Sequence, residues 1–367
     1  MTYELKKQIE LKGLTKEEMG HYFETIYEKK FRADQLYHWL YTHHVTSFEE
    51  MLNIPKRLQK ILETDCTLEV LKIESVHSSE TTGTKKYILS TQDGKLIESV
   101  LIPDDNRTTL CISTQVGCPL DCKFCATGVM GYTRNLTSAE IIDQYYLVSR
   151  DNPGKITNIV YMGMGEPLLN FKNTHKSLKI LTEAQNTRLS RHRITVSTVG
   201  IPEKIKELAE SWVRVRMAFS LHSCFNELRS IIVPINDKYP LETIIPNLRY
   251  YSDKTRSRIT FEYTMFKNFN DRDEDIEALK KLMSQIPSKL NLIPFNSIDH
   301  MNPKGVSKKL QATPYGRIME FADRLRQHDL TVLIRDTQGD DISAACGQLA
   351  YEQAAKGRAS FNFDEES

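Results

Sequence analysis

Three cysteines carry the most specific chemistry in this chain. Cys118, Cys122 and Cys125 stand four and three residues apart in Cys-Pro-Leu-Asp-Cys-Lys-Phe-Cys. On one short loop they can turn three thiolates onto three corners of a cubane iron–sulfur cluster. A cluster kept for electron storage takes four cysteines, and no fourth stands nearby at a matching spacing. One iron is then left open, and an open metal position is where substrate binds. Zinc is the alternative, but structural zinc sites are closed by two pairs of ligands. No second pair is present.

Other residues could serve such a centre. Met162-Gly163-Met164-Gly165-Glu166-Pro167 follows an apolar run, and Glu166 offers a carboxylate to an ammonium group. Ser197, Ser220 with Leu221 and His222, and Asn296 close three further apolar runs. Hydroxyl, imidazole and amide groups there can hydrogen-bond a ribose, a base edge or a carboxylate. Singly, each is more often a satisfied structural group. Glu98 lies in an apolar strand, where a lone carboxylate usually faces solvent. Cys346 is fenced by Ala344, Ala345 and Gly347, which suggests a mobile, accessible backbone; a small buried core cysteine is the competing reading. Cys66 and Cys224 have no partner at motif spacing and read as packing residues.

The elements that must position these groups alternate. Leu110–Ser113, Ile156–Met162, Ile194–Ser197, Val213–Ser220, Ile259–Tyr263, Leu290–Phe295 and Thr331–Arg335 read as strands. Ser138–Ser149, Thr174–Thr182, Pro202–Ser211, Leu241–Tyr250, Asp273–Gln285 and Tyr315–His328 read as the helices between them. Such alternation implies a parallel α/β sheet, either a barrel or an open doubly wound sheet; six units favour an incomplete (β/α)6 TIM-like barrel, whose functional groups collect at the C-terminal strand ends. The cysteine loop follows the first strand directly. Ahead of it, Lys86–Ser90 and Lys95–Ile102 flank the turn signal Gln92-Asp93-Gly94. The N-terminal region reads as small helices, with a capping box at Thr15–Glu18 and Leu36, Trp39 and Leu40 at helical spacing. The expected organisation is a helical accessory domain at 1–65, a β-hairpin extension at 66–107, the barrel core at 108–351 and a polar tail at 352–367.

The 367 residues carry a formal net charge of +1 with 26% charged and 40% hydrophobic residues, so composition makes no case for a nucleic-acid partner. No apolar run approaches the roughly eighteen residues of a membrane span, and the polar start is no signal peptide. Seven cysteines, an odd number, argue against a secreted disulfide scaffold. A cytoplasmic, membrane-free protein is expected.

Leu110-Cys111-Ile-Ser-Thr-Gln-Val-Gly-Cys118, Gly163-Met-Gly-Glu-Pro-Leu168, Phe219-Ser-Leu-His222 and Gly339-Asp-Asp-Ile-Ser-Ala-Ala-Cys-Gly-Gln-Leu349 together resemble the RlmN/Cfr family of radical S-adenosylmethionine (SAM) RNA methyltransferases. The aromatic Phe124 before the last cluster cysteine fits that superfamily. The resemblance implies one [4Fe-4S] cluster on Cys118, Cys122 and Cys125, with SAM on the open iron. It implies SAM contacts from Gly165, Glu166, Ser197, Ser220, Leu221, His222 and Asn296. Two SAM molecules are then consumed per turnover. One methylates Cys346, and the other yields the radical that activates that methyl group to join adenine C2. Glu98 would take the C2 proton and Cys111 would attack Cys346, leaving a transient disulfide. The implied partners are 23S rRNA, at an adenine of the peptidyl-transferase centre, and tRNA, at the adenine 3′ of the anticodon. A flavodoxin- or ferredoxin-type electron donor, a disulfide reductant and a monomeric enzyme are implied as well. Pro167 follows the C2 branch; the C8 branch usually has alanine there. Methylation at C8, a radical SAM enzyme for a non-RNA substrate and a non-enzymatic iron–sulfur or zinc RNA module are the alternatives. Lys29, Lys30, Arg32, Arg191, Arg193, Arg256 and Arg258 are candidate phosphate contacts.

Overall fold

A computed structural model describes residues 8–183, 189–335 and 337–350; the expected tail at 352–367 lies outside them. The chain begins with β1 (Ile9–Glu10) and enters three helices, α1 (Lys16–Thr25), α2 (Phe31–His38) and α3 (Lys56–Asp65), before β2 (Cys66–Thr67) pairs back in parallel with β1. The Thr15–Glu18 capping box forms as expected, with both reciprocal hydrogen bonds present. The segment Ala33–His43 divides, α2 ending at His38 and continuing as a π-helical turn over Trp39–His43.

The rest of the molecule is built on one ten-stranded sheet. Its antiparallel edge is β3 (Leu71–Ser78), β4 (Lys85–Thr91) and β5 (Leu96–Asp104), with the expected turn between the last two. Then follow β6 (Arg107–Cys111), a separate hairpin of β7 (Gln115–Gly117) and β8 (Tyr132–Asn135), and the parallel series β9 (Asn158–Tyr161), β10 (Ile194–Thr198), β11 (Arg216–Ser220), β12 (Ile259–Met265), β13 (Ser288–Pro294) and β14 (Val332–Ile334). Helices α4 (Ala126–Met130), α5 (Ser138–Asp151), α6 (Phe171–Glu183), α7 (Pro202–Glu210), α8 (Asn226–Ile232), α9 (Leu241–Thr255), α10 (Asp273–Met283), α11 (Val306–Lys309) and α12 (Tyr315–Arg326) fill the connections. Seven parallel strands joined by six helical crossovers form the expected incomplete α/β barrel. Among the described residues, no helix is long and apolar enough to cross a membrane.

The helical region docks on α5. Gly13 approaches so closely that a Cβ would lie 3.0 Å from Ala139 Cβ. Beside it the buried Lys12 Nζ meets Asp143 Oδ1 at 2.6 Å, and Asp143 Oδ2 accepts the amides of Val70 and Leu71 at 2.8 and 3.1 Å. One hydrophobic core therefore runs from Leu11, Phe23 and Leu36 through α5 into the barrel.

Candidate active site

The cysteine loop is an excursion between β7 and β8. Gly117 sits at φ +79°, and a Cβ there would fall 1.9 Å from the Gly131 carbonyl oxygen, so only glycine lets the loop close at its base. Cys118 N–H donates to that same carbonyl at 2.9 Å, and Cys125 N–H to Cys122 O at 3.1 Å. The three thiols open onto one cavity with the apolar Leu120 and Phe124. Burial pushes all three thiols up; a coordinating metal reverses that preference by stabilising the thiolate. Among the described residues, no three His, Cys, Asp or Glu side chains close on a single-ion position. The loop's all-sulfur donor set fits a multi-iron cluster.

Most of the expected rim residues surround this cavity. Gly165, Glu166, Ser197, Ser220, His222 and Asn296 all line it. Leu221 does not: its side chain is in the core, and its backbone N–H donates to Glu262 O at 3.0 Å. Gly163 is needed because a Cβ would strike the Ile112 carbonyl carbon at 2.7 Å, so it serves strand–strand approach. Glu166 is buried and clamps two loops, accepting from Leu168 N and Val199 N, each at 2.9 Å. Burial raises its carboxyl to about 7 against the pull of those amides.

His222 adopts φ +54°. Its Nδ1 accepts from Thr264 N–H at 3.0 Å, which leaves the proton on Nε2. Burial, helped by Arg229, lowers the imidazole to about 3, so the ring stays neutral. It packs edge-on against Phe124 at 4.5 Å. Arg229, which the sequence reading passed over, is fully buried beneath the rim. It donates to the carbonyls of Val199, Ser220 and Leu221 and to Asn236 Oδ1, tying the ends of β10 and β11 together.

A second cavity of about 380 Å³ runs down the barrel interior and is lined by both Cys111 and Cys346. It shares Glu262, Arg335, Asn296 and Cys346 with the first. Cys111 ends β6 and is buried, which raises its thiol to about 12, Cys346 adding to the rise and Arg335 opposing it. Cys346 is exposed, not a packing cysteine. Its segment is also held rather than free: Asn296 Nδ2 donates to Cys346 O at 3.2 Å, Ala126 N–H to Gly347 O at 2.7 Å, and Gln348 Nε2 to Ser297 O and Asp340 Oδ1.

Glu98 departs from its expected solvent-facing position. It is 1% exposed because β5 is an interior strand covered on both faces. It lies outside the lining of both cavities, with Lys86 Nζ 3.8 Å from Oε1, and Lys86 also donates to Ser343 O. Oε2 has no partner. Burial raises this carboxyl to about 7, with Lys86 and the Ala350 backbone opposing.

The basic residues separate into two groups. Arg191, Arg193, Arg256 and Arg258 lie just before β10 and β12, at the N-terminal strand ends, opposite the cysteine loop. Arg258 is engaged there with Ser288 O and Thr331 Oγ1, and Arg193 with Thr157 O. Lys29 and Lys30 are exposed beside Tyr27, which is 98% exposed at the α1–α2 turn. Arg32 is half-buried and tied to Gln35 and Asn53. The Cys66 thiol packs against Tyr22 OH at 3.3 Å.

Residues 112–283 match the radical SAM superfamily, and residues 9–68 match the ribosomal RNA large subunit methyltransferase N-terminal domain. The chain is 42% identical over 346 residues to the dual-specificity RNA methyltransferase RlmN of Halorhodospira halophila, covering 94% of each. It is 42% identical over 343 residues to that of Geotalea uraniireducens, covering 94% of this chain and 97% of the relative. A crystal structure of a radical SAM methyltransferase from Sphaerobacter thermophilus superposes with a TM-score of 0.86 at 37% identity, over 93% of this chain and 99% of that one.

Proposed function

The chain belongs to the RlmN family of radical SAM methyltransferases, and from that premise we propose that it methylates C2 of an unpaired adenine in 23S rRNA and in tRNA. The observation that carries this reading is the shared cavity of Cys111 and Cys346, opening beside the pocket of the three loop thiols. Adenine C2 has no nucleophilic lone pair, so displacement from SAM cannot reach it. Cys118, Cys122 and Cys125 would hold a [4Fe-4S] cluster, which with SAM would supply the radical chemistry that displacement lacks.

The chain's own residues do the rest. Cys346, exposed on a pinned segment, carries the methyl group and becomes joined to C2 through it. Glu98, with its carboxyl near 7 and one oxygen unpartnered, takes the C2 proton. Cys111 then attacks the Cys346 sulfur. The carbon–sulfur bond breaks with its electron pair passing to the methylene carbon, which takes up a proton to complete the methyl group; the methylated base leaves, and a Cys111–Cys346 disulfide forms. An external two-electron reductant must restore both thiols, and a flavodoxin- or ferredoxin-type donor would serve the cluster held by the three loop cysteines. Glu166, Ser197, Ser220, His222 and Asn296 line the pocket in which SAM is held.

Nucleoside analysis of rRNA and tRNA from cells with and without the gene tests this. Gene-dependent 2-methyladenosine in either pool is expected. Only 8-methyladenosine would move the reaction to the other ring carbon, and neither isomer would sink the RNA substrate. Cys111→Ala sharpens the test: the methylene-bridged protein–RNA adduct should accumulate, whereas Cys346→Ala should form none.

A further inference from the structure

One buried pair in the barrel has no part in that sequence of steps. Glu262 on β12 and Asn291 on β13 are direct partners in the parallel register, and both line the cavity that holds Cys111 and Cys346. Asn291 Nδ2 donates to Glu262 Oε1 at 3.0 Å. The other two oxygens, Glu262 Oε2 and Asn291 Oδ1, are buried without a hydrogen-bond partner, although Glu262 is only 4% exposed. A buried acceptor left unpaired is costly. Two of them side by side on adjacent strands, in the cavity of the reactive cysteines, call for a ligand that brings N–H groups. Arg335, in the same cavity, adds a cationic donor. The cavity thus presents paired acceptors beside a donor.

We propose that Glu262 and Asn291 read the six-position of the target base, accepting the two N–H groups of an exocyclic amine and rejecting a 6-oxo group. This rests on the adenine reading above and names its specificity determinants. A 6-aminopurine supplies both N–H donors and, in the adjacent ring nitrogen, an acceptor for Arg335. A 6-oxopurine sets a third oxygen against two. SAM also carries a 6-aminopurine, but Asn291 lines the Cys111 cavity and not the thiol-loop pocket, which favours the substrate base.

The test uses RNA hairpins carrying adenosine, purine riboside (hydrogen at position six) or inosine at the target, with methylation rate and RNA affinity measured for each. Wild-type enzyme should prefer adenosine to purine riboside by about tenfold or more. Asn291→Ala should shrink that preference severalfold. Glu262→Gln, which keeps the shape and gains an N–H, should narrow the gap between inosine and adenosine; a merely damaged fold cannot produce that gain. Unchanged base preference in both variants, or a loss confined to SAM affinity, would overturn the assignment. Wild-type protein that methylates none of the three RNAs would overturn the adenine reading beneath it instead.

Discussion

A carboxyl at Glu98 that titrates near 7 makes proton removal pH-dependent in a defined direction. Only the ionised form is a base, so resolution of the protein–RNA adduct should accelerate as pH rises through about 7 and level off above it. Glu98→Gln should abolish that limb; rapid-quench measurement of adduct decay across pH checks it. The stability sign is opposite. With its pKa raised on folding, Glu98 contributes most below its unfolded value and loses that contribution as pH climbs through about 7. Arg229 makes a different demand. Replacing it by methionine strands three carbonyls at the ends of β10 and β11 and should cost about 2–4 kcal/mol, seen as a lower melting temperature of the apoprotein. That arginine had a faint signal in the sequence: it sits on the same helical face as Phe225, Ile232 and Val233, where a cation must be buried and paired. Glu98 misled for a physical reason. Alternation assigns faces only when one side of a sheet is wet, and β5 has no wet side.

At the level of elements, the alternation of strand and helix was legible because each crossover carries its own amphipathic stripe and caps. α5 starts at Ser138 as expected, behind a Thr137–Glu140 capping box. Boundaries were less so. Val213 and Val215 are buried and apolar, yet β11 pairs only from Arg216, since burial does not require a ladder. The α1–α2 turn shows what only the folded chain discloses: Tyr27, at φ 56°, stands free between helices next to Lys29 and Lys30. An exposed aromatic among lysines suits unpaired RNA, where stacking adds to phosphate contacts. Tyr27→Ala is expected to weaken RNA binding by about 1–3 kcal/mol. Charge reversal at Lys29 or Lys30 should flatten the salt dependence by about one phosphate contact. Titrations at several ionic strengths check both, and an unchanged slope removes that lysine from the interface.

Across the whole molecule, the buried Lys12–Asp143 pair joins the helical region to the barrel. Lys12→Met leaves a buried carboxylate short of one partner and should cost about 3 kcal/mol; Lys12→Met with Asp143→Asn should recover part of it. Comparing chemical denaturation of the two proteins checks the coupling. This pair was not legible beforehand, because a lysine and an aspartate 131 residues apart have no local signature.

The order of the strands adds a consequence for how the protein is made. From β3 to β14 the strands of the large sheet lie side by side in the order in which they are synthesised, the β7–β8 hairpin standing apart. Each new strand therefore meets a finished edge as it leaves the ribosome. The N-terminal helices cannot do the same. At about 5–20 residues per second, Lys12 waits roughly 7–26 s for the 131 residues that bring Asp143. The helical region is thus locked in place only when α5 arrives, with its cation solvated until then.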